Sequence, residues 1–369
     1  MNNFFNITKK HGSAIFINSD NIRKNYLFLQ KLAPQTKVAT VLKSNAYGVG
    51  LKEITNILSP IGCQDFFVAT IDEALIVRQN AKDANIYVLH GIFQSNEEIF
   101  VKHNLIPVLN SLKQINKWQD YAKKINKKLP AIIHIDTGIN RLGLQEEEIT
   151  TFAPNFSELR NNLNILYVMS HLACSSESSN PFNKIQLDTF KRITNTYFKG
   201  IKRSFVSSYG LFLGEEYYFD LIRPGFALYG SNPTPEKTNP LLPVIEFYST
   251  ILKINKVKKG ESVGYNHIWK ASKDSLVATV SIGYSDGIML NRKKDCCLFV
   301  NNEKAPIIGK VSMDSLTIDV SNLKFAAKEG DLVEIIGKNQ DIDAFASLNN
   351  TINCEALNVL SLRYPRIYY

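Results

Sequence analysis

The sequence predicts an α/β protein: a (β/α)8 TIM-type barrel over residues 1–240, followed by a mostly β C-terminal domain over 241–369. Three observations carry this. Eight apolar runs of strand length lie at 38–42, 66–69, 86–89, 106–109, 131–135, 166–170, 204–207 and 221–229, and segments of helical periodicity such as 71–79 and 112–125 separate most of them. That alternation buries a parallel sheet under helices, and eight repeats is the number that closes the sheet into a barrel. The main alternative, a doubly wound sheet, lacks the Gly-x-Gly-x-x-Gly turn that would support it. Beyond Pro240-Leu241-Leu242-Pro243, strand follows strand at 244–254, 275–282, 297–300, 306–311, 316–320 and 332–336, with Gly, Asn, Asp and Lys turns between them.

Ahead of the barrel pattern, 13–18 reads as a short strand, and Ser19-Asp20 caps a helix running to about Leu32. The first ten residues hold no apolar core of signal-peptide length. At 369 residues, with 44% hydrophobic and 21% charged side chains, the chain has ample core for two domains. The net charge of +9 is spread among many asparagines, and the dense basic runs, Lys123-Lys124-Ile125-Asn126-Lys127-Lys128 and Lys256-Val257-Lys258-Lys259, are short. This is the pattern of a solvated basic surface rather than a nucleic-acid interface. No run of about 18 apolar residues is present, so no membrane span is expected. Five cysteines, odd in number and without metal-site spacing, point to reduced thiols in a cytoplasm.

The first barrel run ends in Lys43, followed by the Gly-punctuated turn Ser44-Asn45-Ala46-Tyr47-Gly48 and a helical segment from Leu51. This sets an amine at the carboxyl end of a buried strand, where α/β enzymes keep their chemistry. Desolvated there, a lysine becomes nucleophilic toward a carbonyl. On spacing alone, a surface lysine capping a strand is the commoner reading.

Lys43-Ser44-Asn45-Ala46-Tyr47-Gly48 closely resembles the lysine motif of the alanine racemases, which bind pyridoxal 5'-phosphate (PLP). Further matches follow in order along the chain, from about Ala14 to Tyr368. The resemblance implies a homodimer, paired head to tail, in which the β domain of one chain closes the active site of the other. It implies that Lys43 carries the cofactor and that Tyr47 binds its phosphate, with Ser208 of Ser207-Ser208-Tyr209-Gly210. In Leu221-Ile222-Arg223-Pro224-Gly225-Phe226, it sets Arg223 against the pyridine nitrogen, while Gly225 and Phe226 offer backbone N–H groups to the phosphate. His171 of Met169-Ser170-His171 would hydrogen-bond Arg223.

Racemisation needs an acid/base group on each face of the substrate α-carbon. The resemblance supplies Lys43 for one face and Tyr265, in Val263-Gly264-Tyr265-Asn266-His267, for the other. Arg141, in His134-Ile135-Asp136-Thr137-Gly138-Ile139-Asn140-Arg141, matches the arginine near the substrate carboxylate. Met313 and Asp314 match a segment whose methionine N–H reaches that carboxylate from the other chain, and Tyr284 of Gly283-Tyr284-Ser285-Asp286-Gly287 matches a tyrosine lining the mouth of the site.

The chain departs from the pattern at several positions. His134 stands where many members carry a carbamylated lysine that holds the arginine, so no such lysine is expected here. Ser207, Ser176, Ser312, Leu290 and Leu362 also replace residues common in the family. The expected function is PLP-dependent interconversion of L- and D-alanine in the cytoplasm, supplying D-alanine for peptidoglycan. Rival readings are a serine, lysine or broad-specificity racemase of the same fold, a decarboxylase of the same class, and a non-catalytic PLP-binding protein. No cysteine lies in the motif that the decarboxylase requires, and the presence of the β domain with Tyr265 argues against the carrier.

Overall fold

The structure, a computed structural model, describes residues 2–369 and divides them into two compact units. One consists of Arg23–Leu228 with Asn232–Leu241; the other consists of the segment up to Ile22, Tyr229–Ser231 and Leu242–Tyr369.

The first unit is a parallel barrel of eight staves. The first stave is broken into Lys37–Val38 and Thr40–Val41; the others are Asp65–Val68, Asn85–Val88, Leu105–Leu109, Leu129–His134, Leu163–Met169, Lys202–Ser207 and Leu221–Arg223. The ring closes because Leu221–Arg223 pairs with Lys37–Val38, while Thr40–Val41 pairs with Asp65–Val68. Side chains alternating along the staves fill the interior, among them Val41, Phe67, Tyr87, Val108, Ile132 and Met169. Phe67 and Tyr87 stack with centroids 4.6 Å apart. Surrounding helices begin where the sequence offers caps. Thr70 accepts from the Glu73 N–H at the start of Ile71–Asn80, and Ser111 accepts from the Gln114 N–H at the start of Leu112–Lys124.

The eighth stave is shorter than the run at 221–229 suggests. It stops at Arg223, since Pro224 has no N–H for the ladder, and Phe226–Tyr229 turns into a short 3-10 helix. At the opposite end of the barrel, Asp65 is fully buried and ties three staves together. It pairs with Lys37 Nζ at 2.7 Å, and accepts from the Tyr87 hydroxyl at 2.8 Å and from Asn85 Nδ2 at 3.1 Å.

The second unit is built on an eight-stranded, mostly antiparallel sheet. The 13-residue strand Ile245–Val257 pairs with both Leu332–Ile336 and Ser275–Val280, and this double use closes six of the strands on themselves. Ser13–Ile17, wholly buried, pairs antiparallel with Ile245–Val257 and parallel with Arg366–Tyr368. The N-terminal segment therefore groups with the C-terminal sheet, and the division differs there from a simple break at residue 240. Periodicity identified that strand but carries no information about its partner.

Replacing Asp65 by Leu should lower the unfolding free energy by about 1–3 kcal/mol, because the buried Tyr87 hydroxyl loses its acceptor while the half-exposed Lys37 returns to water. Tyr87→Phe should cost about 1 kcal/mol. Urea titration of both variants measures this, and an unchanged midpoint for Asp65→Leu would contradict it.

Candidate active site

The functional candidates of the first unit all lie at the carboxyl ends of its staves. Immediately after the first stave the backbone turns left-handed: φ is 57° at Ser44, 53° at Asn45, 54° at Ala46, 56° at Tyr47 and 77° at Gly48. For a residue other than glycine this costs about 1–2 kcal/mol, so four in succession require support. Asn45, a residue that tolerates this region, provides part of it. Its N–H donates to Glu73 Oε1 at 3.2 Å, and its side chain accepts from the Leu51 N–H at 2.9 Å. Gly48 N–H closes on Ser44 O at 2.8 Å and Gly50 N–H on Asn45 O at 3.0 Å. Glu73 Oε2 accepts in turn from the Ala69 N–H, binding the turn to the end of the second stave. The turn leaves Lys43 exposed at the barrel mouth and buries Tyr47.

Tyr47 reaches the end of the eighth stave, where a Cβ on Gly225 would collide with its hydroxyl. Ser208, buried just beyond the seventh stave, accepts from the Gly225 N–H at 2.9 Å and from the Ala227 N–H at 3.3 Å. Phe226, between them, is buried against Tyr209, with centroids 4.6 Å apart. A hydroxyl pair and a run of amides thus converge on one point, the make-up of a small anion cradle.

Arg223 is 3% exposed, and its partners are neutral. It donates to Ser204 Oγ, to Ser170 O at 2.6 Å and to Phe205 O at 3.1 Å. Burial lowers its pKa to about 9, which leaves it cationic at neutral pH. No hydrogen bond joins it to His171 among the described residues; His171 lies instead within its field. Burial, then Arg223, Arg141, His134 and Lys43, hold the His171 imidazole well below its ordinary pKa. These electrostatic couplings bring Lys43, His134, Arg141, His171 and Arg223 into one neighbourhood.

His134 ends the fifth stave and is 6% exposed. Its Nδ1 lies 2.8 Å from Asn110 Oδ1, and burial, then Arg223 and Arg141, push its pKa down to about 3. Arg141 sits exposed on the loop that follows, whose start is fixed by Asp136 accepting from the Gly138 and Ile139 N–H groups at 2.9 and 3.0 Å.

The second unit gathers the remaining candidates in one cluster of loops. Tyr265 starts the short helical turn Tyr265–His267 between the hairpin strands Ser262–Val263 and Trp269–Lys270. Gly264 and Gly309 pack that hairpin against the 309–313 segment. Tyr284 N–H donates to Ser312 O at 3.0 Å and Ser285 N–H to Met313 O at 3.1 Å. Arg363 grips the fully buried Asp286 through Nε and a second nitrogen, at 2.7 and 2.6 Å, and reaches Asp314 at 2.6 Å. The Asp314 carboxylate is thereby engaged in joining two loops. Tyr265, Tyr284 and Met313 stand 66%, 41% and 54% exposed.

Sequence reasoning missed Glu73, Asn110, Ser204 and Arg363 as supports. Two carried a local signal: Glu73 lies in a Thr-x-x-Glu capping box, which marks a helix start rather than a site, and Arg363 lies in Arg363-Tyr364-Pro365-Arg366, which resembles the family's closing Arg-x-Pro-Arg without showing which aspartates it joins.

A closed barrel with a lysine, an anion cradle and a buried guanidinium at its mouth, joined in one chain to a closed β domain, defines a class of two-domain barrel protein built to hold an anionic ligand. Comparison with known proteins specifies which. The family profile for the alanine racemase N-terminal domain matches residues 17–233, and that for the C-terminal domain matches residues 244–368. The chain is 40% identical over 360 residues to an alanine racemase of Rickettsia canadensis, covering 96% of this chain and 98% of the relative. It is 38% identical over 349 residues to a catabolic alanine racemase of Agrobacterium fabrum, covering 94% and 89%. A crystal structure of the Bartonella henselae alanine racemase, with covalently bound pyridoxal phosphate, superposes with a TM-score of 0.94 at 37% identity over 97% of this chain and 99% of that one. The chain belongs to the alanine racemase family.

Because the folded pKa of His134 lies near 3 against an ordinary 6.5, the unfolded chain binds a proton below about pH 6.5 that the native chain refuses. Stability conferred at neutral pH is therefore lost as pH falls from 6.5 toward 3, with at most about 1.4 kcal/mol per pH unit from this group. His134→Gln should flatten the acid limb of stability against pH by about one proton, measured by urea unfolding between pH 4 and 7. Equal slopes would contradict the buried neutral imidazole.

Proposed function

We propose that the chain interconverts L- and D-alanine in the cytoplasm and supplies D-alanine for peptidoglycan. It is a PLP-dependent amino-acid racemase. The observation that carries the reading is the anion cradle of Tyr47, Ser208 and Gly225 beside Lys43, since it suits the cofactor's phosphate: the space a Cβ would fill at Gly225 is the space the Tyr47 hydroxyl uses. When bound, the cofactor supplies an electron sink for bonds at the substrate α-carbon.

Lys43 would hold the cofactor covalently, and Tyr47, Ser208 and the Gly225 and Phe226 amides would hold its phosphate. Arg223, cationic at neutral pH and with neutral partners only, would offer its guanidinium to the ring nitrogen and so keep a proton off it. That restrains the electron sink and favours return of the α-proton over transamination. His171, kept neutral by burial and by Arg223, supports this arrangement without adding charge.

Two groups would move the α-proton: Lys43 takes it from D-alanine while the partner subunit's Tyr265 delivers one to the opposite face, and for L-alanine Tyr265 takes the proton while Lys43 delivers one. Arg141 meets the substrate carboxylate as a charge-assisted donor. The Met313 loop, held by the Arg363 bridge between Asp286 and Asp314, would present its N–H to the same carboxylate in the neighbouring copy. The exposure of Tyr265, Tyr284 and Met313 in one loop cluster supports a homodimer with shared active sites. Breadth beyond alanine has one specific support: Leu362 and Leu290, which replace larger or charged family residues, are 72% and 57% exposed.

With purified protein and PLP, the optical rotation of L-alanine should decay to zero; a flat trace with cofactor bound would sink the racemase reading. Parallel runs with L-serine and L-lysine measure breadth, and rescue of a D-alanine-requiring bacterium tests the cellular role. Tyr265→Phe should lower racemisation by about 10²–10⁴-fold while the absorbance of bound cofactor is unchanged. Undiminished racemisation would remove Tyr265 from the mechanism.

A further inference from the structure

We infer that His134 is a positioning residue, locked by Asn110 into one neutral tautomer so that its Nε2 accepts a hydrogen bond from the guanidinium of Arg141. The consequence for catalysis rests on the reading of Arg141 as the carboxylate-binding residue; the tautomer and its hydrogen bond do not.

Asn110 fixes the tautomer. Its side-chain amide donates to Leu89 O at 2.9 Å and to Val108 O at 3.0 Å, two carbonyls that can only accept, so both its N–H groups are committed. The atom facing His134 is then necessarily Oδ1, an acceptor, and His134 Nδ1 must carry the proton. In a neutral imidazole this leaves Nε2 with a bare lone pair. That atom is buried, and no partner for it is found among the described residues. A buried acceptor without a donor is costly, so the site is prepared for one.

The surroundings single out the donor. Leu144 N–H donates to His134 O, and Asp136 N–H to Leu144 O, both at 2.8 Å, which folds the 136–144 loop back onto the histidine. A Cβ on Gly143 would stand 3.1 Å from His134 Cδ2, the carbon bonded to Nε2, so this loop passes along the Nε2 edge of the ring. Arg141 lies two residues earlier and is an electrostatic neighbour of both His134 and His171. Arg223 has three of its five N–H groups engaged by Ser204, Ser170 and Phe205, which anchor it against the sixth and seventh staves. In this structure Arg141 is exposed and Nε2 is still open; a guanidinium swung onto that bare nitrogen would be a well-matched donor, and would fix Arg141 without any anion. Where many members of the family carry a carbamate built from lysine and carbon dioxide, this chain has an uncharged acceptor and needs no carbon dioxide.

The test uses the PLP-loaded enzyme labelled with ¹⁵N-histidine. His134 should show a protonated Nδ1 and a bare Nε2 from pH 8 to pH 5, in the presence of Arg141, Arg223, His171 and Lys43. Arg141→Ala should shift the Nε2 resonance, and Asn140→Ala, on the same loop, should not. A protonated Nε2, or a resonance indifferent to Arg141→Ala, overturns the inference. Both spectra leave His134 in place, so the result does not depend on a core variant folding. In kinetics, His134→Phe should raise the KM for alanine about 10- to 100-fold with a much smaller change in kcat, and His134→Gln should recover part of the loss. Stripping carbon dioxide should leave the wild type unaffected; a loss of activity reversed by bicarbonate would overturn the proposal. If the wild type fails to racemise alanine while the spectra are as described, the racemase reading fails and the His134–Arg141 bond stands.

Discussion

The buried charge of Arg223 governs the chemistry at the barrel mouth. A guanidinium this deep is normally met by a carboxylate, because a lone buried cation is expensive. Here it is met by a hydroxyl and two backbone carbonyls, which satisfy its geometry and leave its charge standing. Both neighbouring histidines respond: His134 and His171 are held neutral by burial and by this same cation. The site is thus electropositive through its guanidinia and the lysine, and its imidazoles act as dipoles, not as charges.

A second constraint is conformational. The left-handed turn from Ser44 to Gly48 sets the path by which the backbone leaves Lys43 at the end of the first stave. The turn is held by Glu73 on one side and by the Asn45 side chain on the other. It also carries Tyr47 to the glycine at the end of the eighth stave. One unfavourable backbone segment therefore carries Tyr47 from the first stave to the cluster at the seventh and eighth, and its cost is met by hydrogen bonds to neighbouring elements.

The staves were legible in the sequence because each holds a short run that is largely buried on both faces, and such runs need no distant information. The strand 297–300 and the strand 332–336 of the second unit coincide with their sequence-predicted bounds for the same reason. The partnership of Ser13–Ile17 with Ile245–Val257 was hidden, since pairing across more than two hundred residues leaves no periodic trace. The residues of the barrel mouth were legible through resemblance, but not their supports. Asn110 acts through two carbonyls and a histidine that come together only in the closed barrel. Arg363 is likewise distant in sequence from the two aspartates that it joins.

These supports bear on what the site selects. The acidic groups near the barrel mouth are used internally: Asp136 caps the loop that bears Arg141, and Glu73 holds the turn after Lys43. A neutral His134 adds no negative charge of its own. Among the described residues no ion pair engages Arg141 or Arg223, so the mouth suits ligands that bring negative charge; in the proposed reading these would be a phosphate at the cradle and a carboxylate at Arg141. A lysine carbamate at position 134 would offset one of those cations permanently. The histidine instead orients Arg141 while leaving its full charge for the ligand, so positioning and attraction are assigned to different atoms. On the proposed reading such a division would tolerate a pocket with altered walls, because the anchoring of the carboxylate would not depend on the side chain that accompanies it.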